Sequence, residues 1–434
     1  GLLYGKPSDR AWEAICRLLE RWPADADRSI ALSYAQEHLT GWPYRFKRLP
    51  KRWLEAGLKG ELPEIATIAT ALVTRGIHGP GRGFVDIAAA LNPELLDLTD
   101  VNLSRQHEAL AALPLNHLRA VKFCTNGLGK DGTALISKAT WLRDLEHVAV
   151  TDNYIYDKAA VGLLKALGEP ATLTLNHNYL RRKTPEALAT MPRFASLKRL
   201  DLGGGLKGSG SNSIGPDGAQ ALAKAPHLKN LTTLNLAPTT LAAGTKTLTK
   251  AAHFFRLRRL ILRNNLSPSV AYHIASADHI AELQVLDLGH NKIGNDGLKA
   301  LSRCKHLEHL RRLGLAACEI EGGGAATLLR SPYLKHLTWL DLAQNPIGRP
   351  SLMALTEATF ADTLQTLCIS HLGLDSADAR LLMGIPDAFP NLHTLAISGH
   401  PRNIDLWLPK EVTQHFQRQH VRLKKVRGGL GPAL

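Results

Sequence analysis

The chain has 434 residues, of which 44% are hydrophobic and 21% charged, with a formal net charge of +15 at pH 7. No apolar run approaches the roughly 18 residues of a membrane-spanning helix. Its five cysteines (Cys16, Cys124, Cys304, Cys318, Cys368) are scattered and form no Cys-x-x-Cys pair, which argues against a disulfide framework and against a zinc site.

Those scattered thiols fit a reducing compartment, and the opening Gly-Leu-Leu-Tyr-Gly-Lys-Pro lacks the basic-then-apolar layout of a signal peptide. A cytoplasmic location is therefore expected, with secretion as the alternative if a leader precedes this sequence. Residues 1–63 read as a small helical N-terminal cap. Ser8 can cap a first helix whose Trp12, Ile15, Leu19 and Trp22 share a face before Pro23 ends it. A second helix is expected from about Asp27 to Leu39, stopped by Gly41, and a short third one carries Trp53 and Leu54. Such a segment would cover the apolar cross-section that the first coil of a repeat stack exposes.

From residue 64 to residue 403 the chain is organised by one recurring signature. The clearest copies read Leu-x-x-Leu-x-Leu-x-x-Asn-x-Ile, as Leu283, Leu286, Leu288, Asn291, Ile293 and again as Leu337, Leu340, Leu342, Asn345, Ile347. The central apolar residue of each copy falls at Leu96, Val121, Val148, Leu173, Leu200, Leu234, Leu260, Leu286, Leu313, Leu340, Leu367 and Leu395. A degenerate copy at Leu72, Ile77 and Gly83 precedes them, giving about 12 to 13 repeats. A period in this range marks a solenoid, in which each unit buries its apolar face against its neighbours and the chain grows by addition.

Within a unit, apolar residues two apart place both side chains on one face of a short strand. The Asn five residues after the central position sits where the chain turns, with its amide available to unpaired backbone groups of the adjacent coil. The Asn column is interrupted by Val101, Thr239, Cys318, Leu372 and His400, of which Thr and Cys still offer a weak donor. Blocks such as Gly218-Ala219-Gln220-Ala221-Leu222 and Gly297-Leu298-Lys299-Ala300-Leu301 then return the chain as a helix.

These motifs resemble the leucine-rich-repeat family, and the Gly-x-x-Gly-Ala-x-x-Leu element with helical return is similar to its ribonuclease-inhibitor-like subclass. The resemblance implies an α/β solenoid: a right-handed curved horseshoe with parallel strands on the concave face and helices on the convex face. It also implies a non-enzymatic module or scaffold that binds a protein partner on the concave face, without a cofactor. Regulation of a partner enzyme is a third possibility, resting on the fold alone.

Residues just before, just after and three after each central position point away from the core. Among them Arg199, Asp201, Arg259, Arg263, Asp287, Arg312, Trp339 and Asp341 form the candidate partner-binding set. Arg and Trp dominate binding hot spots, whereas Asp and Arg on adjacent strands can instead simply pair with each other. One interval of 34 residues carries the Gly-rich insertion 203–211, expected as a loop beside Arg199 and Asp201.

Residues 404–434 are expected to form a C-terminal cap, through Ile404, Leu406 and Trp407, and a basic tail. Charge concentrates in two blocks: Arg45, Lys47, Arg48, Lys51, Arg52 and Lys59 near one end, and Lys410, Arg418, Arg422, Lys424, Lys425 and Arg427 near the other. The first interleaves Trp42, Tyr44 and Phe46 with its cations, a composition suited to phosphate contact plus stacking. Arg45, Lys47, Arg48, Lys51, Arg52, Lys424 and Lys425 are thus candidate anion-binding residues, for nucleic acid or an anionic surface, set against the plainer expectation of a solvated cap surface.

No catalytic motif survives inspection. Gly127-Leu128-Gly129-Lys130-Asp131-Gly132-Thr133 lacks P-loop spacing and matches the repeat turn at Ile293–Gly297. His306/His309 and His415/His420 lack a nearby third metal ligand, and no Gly-x-Ser-x-Gly elbow is present. The sequons at Asn102, Asn230 and Asn265 read as chance matches, since Asn265 belongs to the Asn column.

Overall fold

A computed structural model describes residues 6–21, 26–39, 41–50 except 44, 46 and 49, 94–204 except 102, 104–106, 113, 114, 116 and 117, 211–369 except 356, 382–397 and 410–425. The third cap helix, the degenerate first copy, Leu372, His400 and the covering residues Ile404, Leu406 and Trp407 lie outside them, as do Lys51 and Arg52. The chain divides into two compact units: residues 1–199 with 207–212, and residues 200–206 with 213–434.

In the first unit two helices, Asp9–Arg21 and Ala26–Leu39, precede the repeats. Ser8 Oγ accepts a hydrogen bond from the Ala11 amide at 3.2 Å, as a capping serine should. Trp12, Ile15 and Leu19 are buried along the expected face. The Trp12 indole donates to the Arg48 carbonyl at 2.7 Å. Arg48 itself bridges in parallel to Leu95, so the cap joins the first strand through its backbone.

That strand, β1 (Leu95–Asp97), is followed by β2 (Ala120–Cys124), β3 (His147–Thr151) and β4 (Thr172–Thr174), each paired in parallel with the next. Their register aligns Leu96, Val121, Val148 and Leu173, the residues named as repeat centres. Return helices Gly129–Ile136, Tyr156–Ala166 and Lys183–Ala189 turn alanines, leucines and Ile136 inward. Trp141, Phe123 and Phe194 are fully buried between the coils.

The second unit repeats this pattern through β6 (Thr233–Asn235), β7 (Arg259–Ile261), β8 (Val285–Asp287), β9 (Arg312–Gly314), β10 (Trp339–Asp341), β11 (Thr366–Cys368) and β12 (Thr394–Ile397). All are parallel and in register at the repeat centres. β5 (Arg199–Asp201) falls at the division between the units. After helix Lys410–Arg418 the chain adds β13 (Arg422–Lys425), which pairs in parallel with β12 and places Leu423 opposite Leu395. The basic tail segment therefore continues the sheet, a strand that the Leu-x-Leu pattern does not flag because Arg422, Lys424 and Lys425 surround its lone leucine.

The Asn column forms the expected ladder. Asn153 Oδ1 accepts from the Asn126 amide at 3.0 Å, Asn178 Oδ1 from the Asn153 amide at 2.9 Å, and Asn212 Oδ1 from the Asn178 amide at 2.9 Å. In the second unit Asn265, Asn291 and Asn345 accept from Thr239, Asn265 and Cys318 at 2.9, 2.9 and 2.8 Å. Each side-chain amide also donates backwards, as Asn291 does to the Leu262 carbonyl at 2.9 Å. The two substitutes keep a donor: Thr239 Oγ1 reaches the Leu236 carbonyl at 2.6 Å, and Cys318 Sγ the Leu288 carbonyl at 3.4 Å. Asn265 is fully buried, which removes it as a glycosylation acceptor in the folded chain.

Candidate partner-binding surface

On the strand face of the second unit, the residue preceding each centre runs Thr233, Arg259, Val285, Arg312, Trp339, Thr366, Thr394 across successive strands. Arg259 and Arg312 are half-buried. The Arg312 guanidinium lies over the Trp339 ring, 5.2 Å from its centroid, a cation–π geometry. Trp339 is only 7% exposed, so the expectation that it stands clear of the packed interior needs correction. Arg312 covers it, and neighbouring strands about 4.8 Å away leave little room for water around so large a ring. Burial also pushes the Arg312 pKa down, and its Nε is buried with no hydrogen-bond partner.

The aspartates have a different task. Asp287 is 2% exposed and Asp341 is fully buried. Asp287 Oδ1 accepts from the Gly289 amide and Asp341 Oδ1 from the Ala343 amide, each at 2.9 Å. Asp201 does the same for Gly203 at 2.9 Å, Asn235 for Ala237 at 3.1 Å, and Asp97 for Thr99 at 3.1 Å. These bonds, two residues ahead, hold the chain where each strand ends. Burial pushes the carboxyls of Asp287 and Asp341 above the ordinary aspartate value, with hydrogen bonds and the Arg263 charge opposing it. At Asp97 burial pulls the same way but loses to Thr99 hydrogen bonds and the charges of Arg48 and Lys122, so its pKa is lowered.

Arg263 is committed within the surface. Its Nη1 lies 3.7 Å from Asp287 Oδ2, and its Nη2 donates to His290 Nε2 at 2.8 Å. That bond needs a neutral imidazole, and burial followed by the Arg263 charge lowers the His290 pKa accordingly. Arg199, in the first unit, is exposed. The structure thus brings Arg259, Arg312 and Trp339 onto one column, turns Asp201, Asp287 and Asp341 to structural work, and ties Arg263 to its neighbours.

Two cations of the first basic block, Lys47 and Arg48, already face carboxylates. Lys47 is 5% exposed and its Nζ sits 2.8 Å from Glu94. Arg48 lies 3.4 Å from Asp97 and 3.7 Å from Asp9. As candidate anion-binding residues both need correction, because their charges are already balanced by carboxylates of the cap and first strand. Arg45 is exposed, and Lys424 and Lys425 are backbone members of β13.

A leucine-rich-repeat family model matches residues 282–302, the coil that carries Leu283, Leu286, Leu288, Asn291 and Ile293. With the parallel strands, the alternating helices and the Asn ladder, that one-coil match fits a leucine-rich-repeat protein. Among solved structures, this leucine-rich-repeat chain is similar to a chain of the yeast Rad7 and Elc1 complex. The TM-score is 0.50 at 15% identity, covering 92% of this chain and 95% of that one, a likeness of fold. No curated protein matches the leucine-rich-repeat chain in sequence. No described helix is long and apolar enough to cross a membrane, and no described cluster of His, Cys, Asp or Glu is arranged to hold a metal ion.

Proposed function

We propose that this leucine-rich-repeat protein is a non-enzymatic scaffold that binds an acidic segment of a protein partner on the strand face of its second unit. The observation that carries this reading is the Arg312–Trp339 pair. Arg312 has no carboxylate partner among the described residues, and its charge is disfavoured by burial. A partner carboxylate would relieve that cost through a charge-assisted hydrogen bond, with Arg259 on the same column as a second contact. The solved structure it resembles in fold contains a protein–protein complex, of Rad7 and Elc1, which supports the general reading without naming this chain's partner.

Three further expectations belong to the same reading. Residues 1–63 serve as a cap and 404–434 close the other end, supported by the Trp12–Arg48 and Lys47–Glu94 contacts and by β13. The helices opening at Gly215 and Gly294 support the ribonuclease-inhibitor-like subclass. Five unbridged cysteines, with Cys304 and Cys318 pushed to about 12 by burial, suit a reducing, cytoplasmic setting. Control of a partner enzyme would use the same face.

The test is capture from native extract by the immobilised full chain, at two salt concentrations and with nuclease treatment. A protein partner retained after nuclease and lost with Arg312→Gln supports the reading. Capture that survives Arg312→Gln and Arg259→Gln together would sink it.

A further inference from the structure

Along the rim where each strand passes into its ladder turn, the backbone enters the left-handed region at repeating positions. The amides of Gly129, Tyr156, Ala242 and Gly294 all donate to the ladder-residue carbonyl of the next coil, at 2.9, 3.0, 3.0 and 2.9 Å, so these positions are equivalent. Their φ values are +56°, +55°, +44° and +62°. Two residues earlier in the repeat, Gly127, Tyr154 and Tyr179 have φ of +61°, +57° and +57°, a conformation shared there by Thr240, Leu266, Lys292 and Glu319. Glycine adopts this conformation without a side-chain clash, and a bulky residue does not. Three tyrosines nevertheless occupy it in adjacent coils of the first unit.

The rings form a cluster. Tyr156 and Tyr179 stack with centroids 5.2 Å apart and planes 13° from parallel, and Tyr154 meets Tyr179 at 5.6 Å. Tyr154 is 42% and Tyr156 51% exposed. Their backbones are held by the ladder, so the rings are presented without needing to be ordered on binding. Cations adjoin them in the chain. Asp157 Oδ1 accepts from the amides of Arg181 and Thr184 and from the Thr184 hydroxyl, fastening residues 156–158 to 179–184. That leaves Lys158, Arg181 and Lys183 exposed and without an ion-pair partner among the described residues, while Arg182 faces Glu186 at 4.0 Å.

We propose that Tyr154, Tyr156 and Tyr179, with Lys158, Arg181 and Lys183, form a binding site for single-stranded nucleic acid, read through its bases' faces and its phosphates rather than through base identity. Exposed rings on a fixed backbone offer stacking that every base can use, and unpaired cations beside them suit a polyanion. The same cations favour this ligand over a proline-rich peptide, which would need the rings alone.

The experiment titrates the full chain into a short fluorescein-labelled oligodeoxythymidine and follows anisotropy at several salt concentrations. Tyr156→Gly installs the residue that Gly129, Gly215 and Gly294 supply at the equivalent position, and Tyr154→Gly the residue that Gly127 supplies, each at a positive φ that glycine adopts freely, so the double variant should melt no lower than the parent. It should bind about tenfold or more weakly. Arg181→Gln with Lys183→Gln should flatten the dependence of log affinity on log salt by about one to one and a half. The proposal is overturned if the oligonucleotide does not bind at low salt, or if the glycine variant binds it equally well. Polyphosphate binding as tightly as the oligonucleotide, or tyrosine-dependent binding of a proline-rich peptide alone, would overturn it too.

Discussion

Asp287 fills the space above Gly314 on the neighbouring strand: a β-carbon built on that glycine would lie 2.6 Å from Asp287 Oδ1. The carboxylate cannot swing aside freely, because the Gly289 amide and Arg263 hold it. Gly314→Ala should therefore destabilise the protein by about 1–3 kcal/mol. Adding Asp287→Ala should recover part of that loss, so the double variant falls short of the summed single effects by more than about 0.5 kcal/mol. Additive effects in urea unfolding would show that the two side chains do not share this space.

The ladder gives a second test. Asn291 and Asn345 are buried with neighbours on both sides, and each bonds backbone groups of two coils. Replacing either with Leu strips partners from buried amides and carbonyls, at about 1–3 kcal/mol per site. Melting curves unchanged for both variants would contradict the ladder.

Trp339 and Arg312 should separate in their effects. Trp339→Ala removes a buried ring and is expected to cost about 2–4 kcal/mol of stability. Arg312→Gln, at a half-buried position with no ion pair among the described residues, should cost less than about 1 kcal/mol. Equal losses for the two would mean that the guanidinium is as much a part of the packing as the indole.

Acid should weaken the fold through its histidines. Burial is the leading cause that lowers the pKa values of His107, His147, His253, His273, His279 and His290 below the ordinary 6.5. Between the lowered native values and 6.5 the unfolded chain binds more protons, so this stability is complete above about pH 6.5 and is lost as pH falls through the native values. Asp287 and Asp341 run oppositely: their raised values stabilise below 3.8 and lose that contribution as pH rises through the native values. His290→Gln isolates one imidazole, since a glutamine oxygen accepts from Arg263 at any pH. Its melting temperature should fall less than the parent's between pH 7.5 and 5.5, and identical slopes would refute the assignment.

The Asn column was legible in the sequence because an amide recurring at the repeat period, next to apolar centres, has few other uses. The Asp column recurs at the same period, and that recurrence was its structural signal. Alternation along a strand correctly turned Asp287, Asp341 and Trp339 away from the core, but pointing outward is not exposure when parallel neighbours crowd each side chain. The consumption of Lys47 and Arg48 was invisible for another reason. Glu94 and Asp97 lie more than 40 residues away, and composition counts charges without saying which of them meet. The tyrosine rim escaped because its three residues fall in two coils at positions that the apolar signature does not constrain.

The ladder also has a direction. The amide of Asn126 waits for Asn153, that of Asn153 for Asn178, and that of Asn265 for Asn291. Within each unit, each of these described coils is finished by the one that follows it in the chain. During synthesis from the N-terminus, the newest coil to leave the ribosome is thus always incomplete, and it is closed only when the next repeat of about 27 residues emerges. A ribosome stalled within the repeats would hold a chain whose unfinished ladder edge is also its next growth point. A premature stop codon would leave that edge open for good, ready to pair with the exposed end of another copy.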